Sequence, residues 1–84
     1  MDETFLGQFE ALVDKYTELL LGHTNEELKE KVKVWALYSH VAKSMPALAK
    51  HWNERYPEAK EQMKQLVAEI KQLNEEAREN AKKP

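Results

Sequence analysis

Apolar residues recur every three or four positions along almost the whole chain, and only two glycines and three prolines interrupt the pattern. This spacing gathers apolar side chains on one side of an α-helix, whereas a half-buried β-strand would alternate apolar with polar residues. A chain of 84 residues has enough apolar surface for one core. The sequence therefore predicts one all-α domain, residues 1–84: an antiparallel up-down-up three-helix bundle with a short extra helix between helices two and three.

The glycine and proline positions predict where each helix begins and ends. Gly22 follows the first apolar repeat, at the place where a helix end favours a left-handed residue. Pro46 and Pro57 disfavour helix in the residue before them and fit the first turn of a new helix, so each separates two helices. The predicted helices cover residues 3–21, 25–43, 46–55 and 57–80, followed by a frayed tail at 81–84.

Each long helix carries an apolar stripe that we expect to be hidden against the other helices. The stripe of helix one, at spacings of four and three, consists of Phe5, Phe9, Leu12, Tyr16 and Leu19. Helix two has two stripes about 110° apart, so we expect it to contact more than one neighbour. The narrow stripe of the last helix is typical of a coiled coil, and Leu37 projects from helix two on another side. These two features favour self-association, and we expect a homodimer because most homo-oligomers are two-fold.

The turn between helices one and two is typical of a capping box, in which Thr24 and Glu27 would each accept a hydrogen bond from the other's backbone N–H. We expect Thr24 to cap helix two and Glu27 to pair with Lys31 one turn later. Ser44 is predicted to cap the short helix. Because the turn is only a few residues long, helices one and two are predicted to be antiparallel neighbours.

Residue types that serve catalysis or metal binding are present, but not in suitable patterns. The chain has no cysteine, and His23, His40 and His51 each follow a leucine rather than a glutamate three positions earlier. The Glu-x-x-His motif of di-iron bundles is therefore missing. Ser39 and His40 are neighbours on a helix and point about 100° apart, which prevents a direct hydrogen bond between them. We expect a non-enzymatic protein with no cofactor and no metal site.

Charge patterning argues against nucleic-acid and membrane partners. Charged residues make up 33% of the chain, yet acids and bases are interspersed and the formal net charge is only −2. A nucleic-acid-binding surface would carry a denser basic patch, and no apolar run approaches the roughly 20 residues that span a bilayer. The first four residues are acidic where a secretory signal would be basic. We therefore expect a cytoplasmic protein.

The segment between the first two prolines holds the densest group of aromatic, cationic and amide side chains in the chain. Tryptophan, tyrosine and arginine are enriched at binding hot spots, and His51 and Arg55, one turn apart, could hold an anion. The alternative is that Leu48, Trp52 and Tyr56 close one end of the bundle as core residues. Both interpretations, a site and a core plug, stay open on the sequence.

Two hypotheses of function follow from these features. The first is a non-enzymatic helical protein–protein interaction module or homo-oligomer, and the alternative is a small-ligand or anion-binding protein centred on residues 48–56. The candidate interaction surface comprises Leu37, His40, His51, Trp52, Arg55 and Tyr56.

Three stretches of the chain resemble the YusU-like proteins of bacilli, a small uncharacterised family. They are Leu12–Gly22 (LVDKYTELLLG), Val34–Asn53 (VWALYSHVAKSMPALAKHWN) and Tyr56–Asn74 (YPEAKEQMKQLVAEIKQLN), and together they cover most of the chain. The resemblance implies a cytoplasmic bacterial protein. It brings no assigned activity, so it carries over no catalytic or binding residue.

Overall fold

The computed structural model of the protein describes residues 1–82, and within that range it contains four α-helices and no strand. The all-α prediction is therefore confirmed. The helices are α1 (Glu3–Leu21), α2 (Glu26–Ser44), α3 (Pro46–Arg55) and α4 (Pro57–Lys82). Helix α4 includes residues 81–82, which the sequence analysis assigns to a frayed tail; residues 83–84 lie outside the described range.

Helix α2 begins one residue later than the capping-box prediction requires. Asn25 is the capping residue, and its side chain accepts a 2.8 Å hydrogen bond from the backbone N–H three residues later. The prediction for Thr24 is wrong because its hydroxyl instead donates to the Asp14 carboxylate of α1, at 3.1 Å. Asn is also at least as good a cap as Thr. The predicted ion pair between Glu27 and Lys31 is present at 3.2 Å.

Helices α2, α3 and α4 are joined by single residues. Met45 and Tyr56 have nearly the same backbone angles, φ −139°, ψ 66° and φ −126°, ψ 71°, and each is followed by a proline that starts the next helix. Both residues lie outside the α-helical region, which a following proline disfavours. Ser44 does not cap α3 as predicted; its hydroxyl donates to the carbonyl one turn earlier in α2, at 2.7 Å.

The core is small and lies where α1, α2 and α4 meet. Its buried cluster is Leu21, Leu28, Val32 and Ile70, and Leu20, Trp35, Leu66 and Leu73 pack around it. Helix α2 contacts the three other helices, as its two apolar stripes predict, whereas α1 and α3 do not touch within the described residues. The stripe of α4 is partly covered by its own chain, since Ile70 is buried and Leu66 and Leu73 are half-buried.

The arrangement is flat. The Cα atoms extend over 45 × 38 × 21 Å and have a radius of gyration of 14.9 Å, compared with about 12 Å expected for a compact domain of this length. A single copy is thus more open than the bundle that the sequence predicts. The physical reason is that one half of the apolar surface of α1 meets no other helix.

Candidate interaction surface

The apolar stripe of α1 points away from the core. We call Phe5, Phe9, Leu12, Tyr16 and Leu19 the outer stripe; each is between 44% and 72% exposed. The expectation that this stripe is hidden inside the protomer is wrong. Helix α1 is apolar over too wide an arc for one contact, because its buried residues Val13, Thr17 and Leu21 lie about 120° around the helix from the outer stripe.

Charged side chains between α1 and α2 fix how α1 is rotated about its axis. The Lys33 ammonium lies 2.5 Å from the Glu10 carboxylate, and Lys29 lies 3.7 Å from both Glu10 and Asp14. The hydrogen bond from Lys33 lowers the pKa of Glu10, and the same bond raises the pKa of Lys33. Because these pairs hold one side of α1 against α2, the outer stripe stays turned to the solvent.

The outer stripe continues into a groove between α1 and α2. Phe9, Leu12 and Tyr16 form one wall of the groove, and Val32 and Leu37 belong to the other. The predicted surface residue Leu37 is 65% exposed at the edge of this groove. The structure thereby joins one residue of the predicted surface to a helix stripe that the sequence analysis assigns to the core.

A second apolar opening lies on the other side of Leu37, between α2, α3 and α4. This cleft has a volume of about 340 Å³. It is lined by Val34, Leu37, Tyr38, Val41, Leu48, Ala49, Trp52 and Met63. Because Leu37 borders both openings, the outer stripe, the α1–α2 groove and the cleft form one continuous apolar surface.

The aromatic segment 48–56 is partly covered and partly exposed. The ring of Trp52 lies 5.9 Å from that of Tyr38 and 6.0 Å from that of Tyr56, between ring centroids. The Arg55 guanidinium lies 5.8 Å from the centre of the Tyr56 ring, within the range of a cation–π contact. Trp52 is half-buried, whereas Tyr56 is 49% exposed. The segment is therefore neither fully a core plug nor fully a free surface.

Four of the six residues of the predicted surface lie in one connected group. Trp52, Arg55 and Tyr56 are in contact through their side chains, and Leu37 shares the cleft with Trp52. The two histidines, at positions 40 and 51, are exposed and line neither the cleft nor the groove. The residues that sequence reasoning missed are those of the outer stripe, and the signal that could have found them is the excessive width of the apolar arc on α1.

Two further properties concern residues 1–82 as a whole. No three His, Cys, Asp or Glu side chains in this range come together in a way that could hold a metal ion. None of the described helices is both long and apolar enough to cross a membrane.

Residues 3–80 match the family model described as "Protein of unknown function (DUF2573)". The chain belongs to this family. The chain is similar to "Uncharacterized protein YusU" of Bacillus subtilis (strain 168). The two sequences are 59% identical over 75 residues, which cover 89% of this chain and 79% of the relative. The resemblance to YusU-like proteins is thus confirmed. No solved structure matches the chain. The outer stripe and Leu37 both lie inside the range that matches DUF2573.

Proposed function

We propose that this DUF2573 protein is a non-enzymatic, cytoplasmic protein–protein interaction module whose interface is the outer stripe of α1 together with Leu37. The observation that carries the proposal is the exposure of these six large apolar side chains along one surface. The proposal keeps α1, α2 and α4 in up-down-up order, which the contacts Glu10–Lys33 and Lys31–Glu69 support.

The size of the exposed surface supports this proposal. A large side chain presents roughly 200 Å² when fully exposed, so six of them at about half exposure present roughly 600 Å². The largest apolar patch of a typical monomer is about 300–600 Å², and larger patches mark interaction sites. The estimate for the outer stripe with Leu37 lies at the upper end of that range, where patches are often functional.

The charges on α1 favour a protein partner over a membrane surface. Helices that lie on membranes carry Lys and Arg on their polar side. Helix α1 has the opposite composition, with four acids at Glu3, Glu10, Asp14 and Glu18 against the single cation Lys15. An anionic membrane or a nucleic acid would therefore repel this helix.

A second candidate function is supported by the α2–α3–α4 cleft. Its volume of about 340 Å³ lies within the range of small-molecule sites, about 300–1,000 Å³. The lining is apolar, which supports an uncharged apolar ligand rather than the anion considered from the sequence. The test is the fluorescence of Trp52 in a Trp35→Phe variant titrated with 1-decanol. A saturable shift that a Val34→Phe substitution in the cleft lining abolishes would support the site; no shift would remove it.

In-cell photo-crosslinking tests the interaction module directly. The photoreactive amino acid p-benzoylphenylalanine is placed at position 12, in the outer stripe, or at position 72, on an exposed polar part of α4, and the variants are expressed in Bacillus subtilis. We expect a discrete protein adduct from position 12 and none from position 72, because only the first lies in the proposed interface. Absence of any adduct at position 12, with both variants folded, would contradict the proposal.

A further inference from the structure

We infer that the partner of the outer stripe is a second copy of this chain, bound antiparallel about a two-fold axis that passes near Leu12. This inference rests on the proposed function, since it names the occupant of the same surface. It concerns α1 and Leu37, and it leaves the α2–α3–α4 cleft outside the contact.

The spacing of the outer stripe suits a helix–helix seam. The residues follow one another at intervals of four, three, four and three, which is the repeat that two helices use to interlock their side chains. From Phe5 to Leu19 the stripe extends about 21 Å along the helix. Lys15 borders the stripe, and its ammonium forms an ion pair with Glu18 at 2.9 Å.

The stripe is complementary to itself when two copies run in opposite directions. With the axis at Leu12, Phe5 faces Leu19 of the second copy, and Phe9 faces the neighbourhood of Tyr16. Each of these contacts then joins two apolar side chains, and Lys15 lies at the border of the seam. A two-fold contact of this kind uses the same patch on both partners.

The area is sufficient for a stable dimer. Burial of roughly 600 Å² on each copy gives about 1,200 Å² in total, which reaches the lower end of specific interfaces. The protomer also needs such reinforcement, because only six hydrophobic residues are buried within residues 1–82: Val13, Leu21, Leu28, Val32, Ala49 and Ile70. Small domains commonly obtain the missing stability from a partner subunit.

Charge favours the antiparallel direction. In a parallel pair the acidic starts of both helices, Asp2 and Glu3, would lie side by side, and the helix dipoles would point the same way. In an antiparallel pair the two acidic starts lie at opposite ends of the contact, and the two dipoles oppose each other favourably. The repulsion between the acidic starts is therefore avoided in only one of the two directions.

Cysteine cross-linking tests the arrangement, because the chain has no cysteine of its own. Single variants Phe5→Cys, Leu12→Cys and Leu19→Cys are treated with a short bifunctional maleimide, alone and in mixtures, with Gln72→Cys as the control. We expect dimers from Leu12→Cys alone and from the mixture of Phe5→Cys with Leu19→Cys. We expect none from either of those two alone, since their copies would lie about 21 Å apart. Circular dichroism verifies that the variants fold, which their exposed positions favour.

Two results would overturn the inference, and they differ from failure of the proposed function. Dimers from Phe5→Cys alone, at the yield of the mixture, would show a parallel pair. Sedimentation equilibrium that reports a monomer of 9.8 kDa at every concentration would exclude the second copy. If photo-crosslinking at position 12 then gives an adduct with another protein, the interaction module stands and only its self-association is refuted. The expected result is a dimer that Leu12→Lys converts to a folded monomer at the same concentration.

Discussion

The substitution Ile70→Ala should destabilise this protein more than its position on a long exposed helix suggests. Ile70 is 3% exposed and lies in the core cluster with Leu21, Leu28 and Val32. The change removes three buried carbons, worth about 0.8 kcal/mol each, and adds a cavity term that brings the loss to about 3–4 kcal/mol. A core this small supplies only about 3–5 kcal/mol of net stability. We therefore expect the variant to be near its unfolding midpoint at 25 °C without denaturant.

Urea denaturation followed by far-ultraviolet circular dichroism measures this loss. The matched control is Val67→Ala on the same helix; Val67 is 39% exposed, so the expected loss is less than about 1 kcal/mol. Both variants are compared with the parent chain at one fixed protein concentration, because any self-association adds to the apparent stability. If Ile70→Ala loses no more than Val67→Ala, the core does not lie where α1, α2 and α4 meet, and the packing argument fails.

Three further predictions concern the contacts of α1. Because the pKa of Glu10 is lowered, its ion pair stabilises the fold above the ordinary pKa of 4.5, and this stabilisation is lost as the pH falls through the lowered pKa. The stability advantage of the parent chain over Glu10→Gln should therefore shrink between about pH 5 and pH 3. Urea titrations that give the same advantage at every pH would contradict the pairing. Gly22 has a φ of 88°, and an α4 side chain lies 3.2 Å from where a Cβ would be, so Gly22→Ala should lower the unfolding free energy by at least about 1–2 kcal/mol. The control Gly7→Ala, where no atom lies within contact of the new Cβ, should raise it by about 0.5–1 kcal/mol. Equal changes of the melting temperature in the two variants would contradict the strain at Gly22. Asn74 donates a 2.8 Å hydrogen bond to a carbonyl at the end of α1, so Asn74→Ala should cost about 1 kcal/mol in chemical denaturation, and an unchanged midpoint would show that the bond adds nothing.

The helices and their breaks follow from local chemistry, which is why the sequence predicts them well. Pro46 and Pro57 each determine the conformation of a single preceding residue and the start of a helix, and neither effect needs a distant partner. Gly22 acts in the same local way, since its left-handed angle ends α1. The helix boundaries that hold depend on only a few consecutive residues.

The failed predictions for Thr24 and for the apolar stripe of α1 depend on contacts across the fold. Thr24 and Asn25 are both suitable caps, and the choice falls to Asn25 because Asp14, ten residues before Thr24, binds the Thr24 hydroxyl. The periodicity of α1 shows two apolar sets, but it does not tell which of them the chain itself covers. That choice follows from how α4 lies against α1, where Asn74 meets the carbonyl of Leu20. The candidate surface stays a prediction, to which the structure adds the exposed outer stripe that the sequence analysis assigns to the core.

The single-residue joints at Met45 and Tyr56 have a consequence for how the molecule opens. A long loop would let one helix unwind while its neighbours stay in place, but a joint of one residue transmits any change of direction at once. Helices α2, α3 and α4 should therefore change direction together, at the joints Met45 and Tyr56. Release of α4 also requires the loss of its core contacts with α1 and α2, so its amide hydrogens should exchange with solvent together with those of these two helices.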